Sequence, residues 1–343
     1  MSTSIANQYA IANQYRDQKL PTYIPNPNIS VNTQRIYDYQ PQYFDVDNVD
    51  FGNGWRFMIC NKVFSQDLTV FVSSDSIGKY KAFKKTIRDG PMTGAAKYAR
   101  DLQFSGIGVP LLKVDSHTFH LNKFLTIQKY YIDQKKFGLR GFDPSTDLYD
   151  FCVVNRFKHG SYTSYEMNFT PDPNDRRKDF QIVVFAHSIL PIADYVYNGN
   201  RYRWIREGRN WSFEFNYSNF LLDSKQHALS DNWNKKTNKL ESSIDPNNPL
   251  VGGFFGKFFS IKSRTERECY YSSMRLGSLD EKRTFSIFGD FKQKAQYTMG
   301  DIYNTDNIPV NYESIHSVNL DALTRLCMGL LFKREEDIKD RNN

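Results

Sequence analysis

The side chains most able to do chemistry in this sequence are basic ones that recur in groups. The candidate anion-binding residues are Lys79, Lys81, Lys84, Lys85, Arg88, Arg201 and Arg203. Near an anionic membrane, each lysine or arginine contributes about 1 kcal/mol of attraction. Acidic residues are interleaved with the same groups, so a solvated surface without a ligand stays open as an alternative.

Nucleic acid is a competing partner for the same charge. Aromatic residues lie beside bases in the run Arg201-Tyr202-Arg203-Trp204, as they do on surfaces where nucleobases stack. In a strand-rich chain, however, aromatic side chains belong first to sheets and cores. The sequence has no RNP-like, zinc-finger or helix-turn-helix pattern. Nucleic-acid binding is therefore the less favoured interpretation.

No motif predicts a catalytic, metal or cofactor site. His117 and His120 are three residues apart, which in a strand directs them to opposite faces, and no further ligand completes a metal set. The glycine-rich run 252–257 resembles a phosphate loop, but Phe258 occupies the position where serine or threonine would bind Mg²⁺. We expect a non-catalytic protein without a cofactor. An enzyme whose site is assembled from scattered residues in a barrel mouth remains the alternative.

Composition and targeting signals indicate a cytoplasmic protein of one main domain. The chain has 343 residues, a formal net charge of +7 and four cysteines, which are scattered and thus favour a reducing compartment. We find no signal peptide and no apolar run long enough to span a membrane. Residues 1–50 are polar, contain more acidic than basic side chains and repeat Ile-Ala-Asn-Gln-Tyr, which predicts a disordered tail able to recruit a protein partner.

Residues 51–334 carry the signals of a single β-rich domain. Short runs of alternating apolar and polar residues, rich in aromatic and β-branched side chains, predict strands. These runs are 55–64, 67–74, 106–114, 123–133, 150–157, 162–169, 179–187, 195–205, 211–222, 257–262, 269–276 and 283–288. Asn198-Gly199 predicts a tight hairpin turn. The fold class is therefore mainly β, an antiparallel barrel or curved sandwich.

Helical signals are few. A helix is predicted from Val318 to Lys333, capped by Ser317, and residues 335–343 are predicted to form a charged C-terminal tail that frays. Helix formers between Ala82 and Arg100 are interrupted by glycine and proline. A flexible insertion is expected at about 224–249, where lysines precede a Pro/Asn-rich breaker.

Over about residues 55–334 the chain resembles the tubby C-terminal-like barrel, the LURP-one and scramblase type. The resemblance rests on the hairpin that ends in Tyr202-Arg203-Trp204-Ile205, on the strand at 211–222 and on the apolar segment 318–332 before a charged tail. It implies a twelve-stranded barrel around a hydrophobic helix. It also implies a non-catalytic domain that, in some members, binds phosphoinositides through a basic pair on the barrel rim, a part that Lys79 and Lys81 or Lys84 and Lys85 could play.

These observations predict a binding or adaptor protein, peripheral at an anionic membrane. Arg325 near the middle of the predicted helix departs from the apolar helix that the resemblance requires, because a buried guanidinium must pair or extend to solvent.

Overall fold

The computed structural model describes residues 55–62, 67–88, 106–116, 122–130, 147–188, 190–208, 215–222, 226–241, 274–281, 287–288, 291–299, 315 and 318–342. The strands are β1 (Trp55–Lys62), β2 (Leu68–Phe71), β3 (Leu112–Ser116), β4 (Lys123–Tyr130), β5 (Leu148–Lys158), β6 (Tyr162–Phe169), β7 (Phe180–His187), β8 (Ile192–Tyr197), β9 (Asn200–Gly208), β10 (Phe215–Leu221), β11 (Trp233–Asn234), β12 (Lys239–Leu240), β13 (Met274–Glu281), β14 (Ile287–Phe288) and β15 (Phe291–Met299). The α-helices are α1 (Ser74–Arg88) and α2 (Leu320–Asn342).

Twelve of these strands close into an antiparallel barrel. β1 to β10 pair each with the next, β10 pairs with β13, β13 with β15, and β15 returns to β1 with Trp55 opposite Met299. β14 pairs only with β15 among the described strands, and β11 and β12 form a separate hairpin. The prediction of a mainly β, antiparallel barrel is confirmed.

Local sequence signals explain why the individual strands form. Along β6, buried and partly exposed residues largely alternate, as expected for a sheet with one face toward a core. Asn198 and Gly199 join β8 to β9 with φ values of 48° and 76°, the left-handed pair that an Asn-Gly hairpin turn requires. The predicted run 195–205 is therefore two strands, and the hairpin prediction is confirmed.

Helix α2 runs through the inside of the barrel. Every residue from Ala322 to Arg334 is buried, on all sides of the helix. An ordinary surface helix buries only one stripe, so a helix buried all round must be enclosed. Strands around the ring contact it: Tyr197 of β8 donates a hydrogen bond to Asp321, and the rings of Trp204 (β9) and Tyr217 (β10) pack on Phe332.

The ends of α2 differ from those predicted. The helix starts at Leu320, where the Asn319 side chain accepts a hydrogen bond from the Ala322 backbone N–H at 2.8 Å, so the predicted start at Val318 under a Ser317 cap was wrong. The charged segment 335–343 is helical as far as Asn342 and does not fray there. Its polar residues meet partners at the end of the barrel, which the sequence could not show.

A segment between β10 and β13 covers part of the outer surface of the barrel. Residues 226–241 contain a 3₁₀ turn and the β11–β12 hairpin, and they lie within the insertion predicted at 224–249. Leu229 and Leu240 join a hydrophobic cluster with side chains of β6 to β10, separate from the main core. In the residues that the structure describes, this segment is packed against the barrel.

Helix α1 follows β2 and packs through one face. The Ser73 hydroxyl caps it by accepting the Ser76 N–H at 3.1 Å. Ile77, Tyr80 and Phe83 are buried, and the Tyr80 ring lies 6.2 Å from that of Phe291 in β15. The helix begins at Ser74, earlier than the 82–100 signals indicated.

Candidate binding surface

The solvent-facing side of α1 is basic. Lys81, Lys84 and Lys85 follow at spacings that bring residues to one side of a helix, and the side chain of Arg88 lies outside the described residues. Like charges at such spacings repel each other by a few tenths of a kcal/mol per pair. An anion that lies against this side of α1 therefore reduces the repulsion between its basic side chains.

The lysines of α1 differ in their surroundings. Lys79 pairs with Asp75 at 2.7 Å one turn earlier, an exposed pair of small energetic value. The Lys84 ammonium lies 5.2 Å from the Tyr80 ring and 5.5 Å from that of Phe291. Lys81 and Lys85 have no ion pair within the part of the chain described, which makes them the cations of α1 most available to a ligand.

Arg201 and Arg203 are engaged elsewhere. Arg203 is 2% exposed and donates two hydrogen bonds to Asp194, at 2.7 and 2.8 Å. Arg201 donates to Asp231 and to the Gln226 carbonyl. Both arginines therefore connect the segment 226–241 to the barrel through hydrogen bonds. Because their guanidinium groups are engaged in these bonds, we do not include them in the proposed anion-binding surface. In the sequence, their strand positions looked no different from those of exposed bases.

A second basic surface lies on the β11–β12 hairpin. Lys235, Lys236 and Lys239 are exposed, and none of them has an ion pair among the described residues. The Lys235 ammonium lies 5.8 Å from the Trp233 ring. In the sequence these lysines are predicted only to belong to a flexible insertion. Their clustering follows from the hairpin, whose turn contains Asn238 at φ 52°.

Charged and tyrosine side chains converge at the barrel end where α2 finishes. We call this group the mouth network: Arg156, Tyr165, Arg206, Tyr217, Glu281, Lys333, Glu335, Glu336 and Asp337. It joins α2 to β5, β6, β9, β10 and β13. The network is the one group of convergent acids that the described residues bring together at this end.

Two neighbouring carboxylates of the mouth network contact different strands of the ring. Glu335 accepts hydrogen bonds from Arg156 at 3.2 Å and from the Tyr165 hydroxyl at 2.8 Å. Glu336 accepts two from Arg206, at 3.1 and 2.9 Å, and one from Tyr217. Burial opposes the charge of Glu336, but the bonds from Arg206, from Lys339 and from Tyr217 outweigh it and lower the pKa of this carboxyl.

Lys333 forms the third part of the mouth network. Its ammonium is almost completely buried and donates to Glu281 and to Asp337. Burial alone would lower the pKa of Lys333, but the two carboxylates outweigh burial and raise it. Burial raises the pKa of Glu281, with Lys333 opposing. Every carboxylate named here has a cationic or tyrosine partner, which is typical of a network that holds a helix in place.

Several sequence predictions lie outside the described residues. They are the tail 1–50, His117 and His120, the glycine-rich run 252–257 and the strand predicted at 257–262. Within the described part of the chain, no group of three or more His, Cys, Asp or Glu residues is arranged to hold a metal ion. Cys60, Cys152 and Cys327 are buried free thiols. No helix among the described residues has the length and apolar character needed to cross a membrane.

Comparison with known protein families gives a match over most of the chain. A family model described as DIA1 matches residues 52–341. The match begins just before β1 and ends in the last turn of α2, so it covers the whole barrel and the helix within it. No curated protein and no solved structure matches the chain.

Proposed function

Since the chain belongs to the DIA1 family along its whole barrel, we propose that this complete barrel is the functional unit and that it is a non-catalytic binding domain. Its ligand is an anionic membrane surface rich in phosphoinositide, and α1 is the contact. The protein then works in the cytoplasm, at the periphery of a membrane, as an adaptor. The observation that carries the proposal is the basic side of α1.

The filled interior of the barrel supports a binding role. α2 occupies the barrel axis, and its residues contact side chains from β6, β8 and β10. A ligand of appreciable size must therefore use the outer surface. The arrangement also supports the likeness to tubby C-terminal-like barrels, in which a helix fills a twelve-stranded ring.

The charges on α1 support an anionic partner. Lys81 and Lys85 are one turn apart, with Lys84 beside them and Asp75 the acidic residue of the first turn. Phosphate groups of lipid headgroups lie in a plane, and a straight helix presents successive lysines to such a plane. Two lysines at about 1 kcal/mol each amount to about 2 kcal/mol, or roughly thirty-fold in affinity.

Flotation of the full chain with vesicles tests this proposal. We expect binding to phosphatidylcholine vesicles that contain phosphatidylinositol 4,5-bisphosphate, weaker binding at high salt, and none to phosphatidylcholine alone. The double variant Lys81→Gln/Lys85→Gln should lose roughly thirty-fold in affinity. The matched control Lys235→Gln/Lys236→Gln removes the same charge from the other basic surface and should bind almost as wild type. Absence of binding at low salt, or equal losses in both variants, would refute the role of α1.

An enzyme with its site in the barrel mouth is the second candidate function. The observation in its favour is the pair Glu335 and Glu336, whose environments differ, as those of an acid and a base must. Against it, both carboxylates are held by arginine and tyrosine. Nucleic-acid binding remains a third and weaker candidate, and a gel shift with a single-stranded oligonucleotide that does not respond to salt would remove it.

A further inference from the structure

The inside of the barrel contains buried polar atoms that have no hydrogen-bond partner among the described residues. They include the Tyr297 hydroxyl, the Trp204 indole Nε1 and the Asn219 side-chain oxygen, and the three residues are at most 1% exposed. A buried polar group without a partner costs about 1–3 kcal/mol. Several such groups in one place indicate that something polar binds there.

The strand register brings these atoms together. Trp204 of β9 lies directly opposite Asn219 of β10, and Asn219 lies opposite Gly277 of β13. The Tyr297 hydroxyl is directed at Gly277, since a Cβ added to that glycine would lie 3.1 Å from the hydroxyl oxygen. The Trp204 and Tyr297 rings are themselves 6.0 Å apart. The three groups therefore line one small region beside α2.

Helix α2 adds a positive charge to this region. Gly329 packs against the Tyr297 and Trp204 rings, and Arg325 lies one turn earlier on the same side of the helix. The Arg325 guanidinium is 6.0 Å from the Tyr202 ring, and its charge counteracts the rise that burial imposes on the pKa of Tyr297. Arg325 is 5% exposed, so its field acts in a dry interior where charge interactions are strong.

The polar groups of this region are suited to a negative ligand. Tyr297 and Trp204 offer an O–H and an N–H. The Asn219 amide is hydrogen-bonded to the Tyr195 hydroxyl at 2.9 Å. Because the Tyr195 hydroxyl can donate as well as accept, the same contact forms when the amide is turned over, and Asn219 then offers its NH₂ to the region. Tyr297, Trp204 and Asn219 then each offer a hydrogen-bond donor, and the Arg325 guanidinium lies near them.

We propose that the barrel interior binds a small anion, a halide or a short carboxylate, between Trp204, Asn219 and Tyr297 beside Arg325. We call this place the interior anion site. It is independent of the basic surface on α1 and of the proposed membrane contact, and it would be a structural site filled when the barrel closes. Glu335 and Glu336 lie further along α2 and bond to Tyr165 and Arg206 of the mouth network, so they do not belong to it.

Thermal unfolding of the full chain tests the interior anion site. Sodium gluconate in the buffer is replaced stepwise by sodium chloride, sodium bromide or sodium formate at constant ionic strength. A ligand that binds only the folded protein raises the unfolding midpoint, by about 5 °C at a hundredfold excess over Kd. The halide and formate arms distinguish the two classes of anion. If neither shifts the midpoint relative to gluconate, the proposal is overturned, and a buried water is then the better occupant.

Tyr297→Phe gives a second and independent measurement. This variant removes one oxygen from a packed ring and introduces no new volume, so folding should be kept. If an anion accepts a hydrogen bond from the Tyr297 hydroxyl, the variant should unfold at a lower temperature in chloride or formate and should lose most of the anion response. If the hydroxyl has no partner, removing it should raise the midpoint in every salt, which would overturn the proposal.

A matched control separates the site from general salt effects. Tyr149→Phe also removes a hydroxyl, one that donates to the Pro171 carbonyl at 3.1 Å. This variant should keep the full anion response of the wild type. Equal loss of the anion response in both variants would contradict the interior anion site, because Tyr297 lines the site and Tyr149 does not.

Discussion

Arg203 shows how a basic residue acquires its role from its surroundings. Asp194, on the neighbouring strand, is completely buried and accepts hydrogen bonds from Arg203 and from the Leu229 backbone N–H at 2.7 Å. Arg203 also donates to the His227 carbonyl at 2.8 Å. The pair therefore joins two strands of the barrel to the segment that covers them.

Arg203→Met should destabilise the protein strongly, since it leaves the Asp194 carboxylate buried without its cation. Breaking a buried pair in this way costs about 3–5 kcal/mol. The control Arg201→Met removes an arginine that is more exposed and should cost about 1 kcal/mol or less. Urea unfolding measures both free energies. Similar costs for the two variants would show that burial does not govern the strength of the Arg203 pair.

Two glycines show how the helix and the strands fit together. Gly329 of α2 faces the Tyr297 ring, and an added Cβ would lie 3.4 Å from its Cδ2, an ordinary contact. At Gly277 of β13 an added Cβ would lie 2.8 Å from the Thr298 backbone oxygen, closer than atoms approach. The helix therefore has some room at its glycine, and the sheet has none.

Opposite effects are expected when each of these glycines is replaced by alanine. Gly329→Ala should raise the free energy of unfolding by up to about 1 kcal/mol, because alanine favours a helix. Gly277→Ala should lower it by about 1–3 kcal/mol, because backbone atoms must move. Chemical denaturation of the two variants provides the comparison. A loss of stability in Gly329→Ala would mean that α2 is packed more tightly against β15 than the distances indicate.

The whole molecule is a ring of strands held around one helix. Residues 322–332 of α2 are mostly apolar, but at the C-terminal end of the helix the mouth network replaces apolar packing with ion pairs to several strands. Glu336 is central to it, since it accepts from Arg206, Tyr217 and Lys339. The closure of this end of the barrel should therefore depend on pH.

Glu336→Gln should expose this dependence. The pKa of Glu336 is lowered in the folded protein, so its stabilising effect is complete above its ordinary value of 4.5 and is lost as the pH falls below it. We expect the variant to be less stable than the wild type by about 2–3 kcal/mol at pH 7. The difference should shrink at pH 3, because the stabilising effect of this charge falls once the pH is below the ordinary pKa of the carboxyl.

Urea unfolding of both proteins at the two pH values measures this difference directly. Lys339→Gln, which removes a half-exposed partner of the same carboxylate, should cost much less at either pH. A difference that stays constant between pH 7 and pH 3 would contradict the contribution of the Glu336 charge.

Strand β15 illustrates the limits of prediction from sequence. Its run Phe291–Met299 contains lysines and glutamines at several positions, so it lacks the aromatic and β-branched alternation of the other strands and was not predicted. In the ring its neighbours are β1 and β13, and the pairing with β1 closes the ring. β1 and β15 are far apart in the sequence, and pairing between such distant segments leaves no local pattern in either strand.

The sequence by itself determined the β-rich fold class, most strands, the Asn-Gly hairpin and the apolar core of the last helix, because these depend on local periodicity and on turn chemistry. Only the tertiary structure decided that β15 meets β1, that α2 lies inside the ring, and which bases are available. Arg203 and Lys85 have the same charge in the sequence. One is buried against Asp194 and the other faces solvent, because burial and pairing depend on residues far away along the chain.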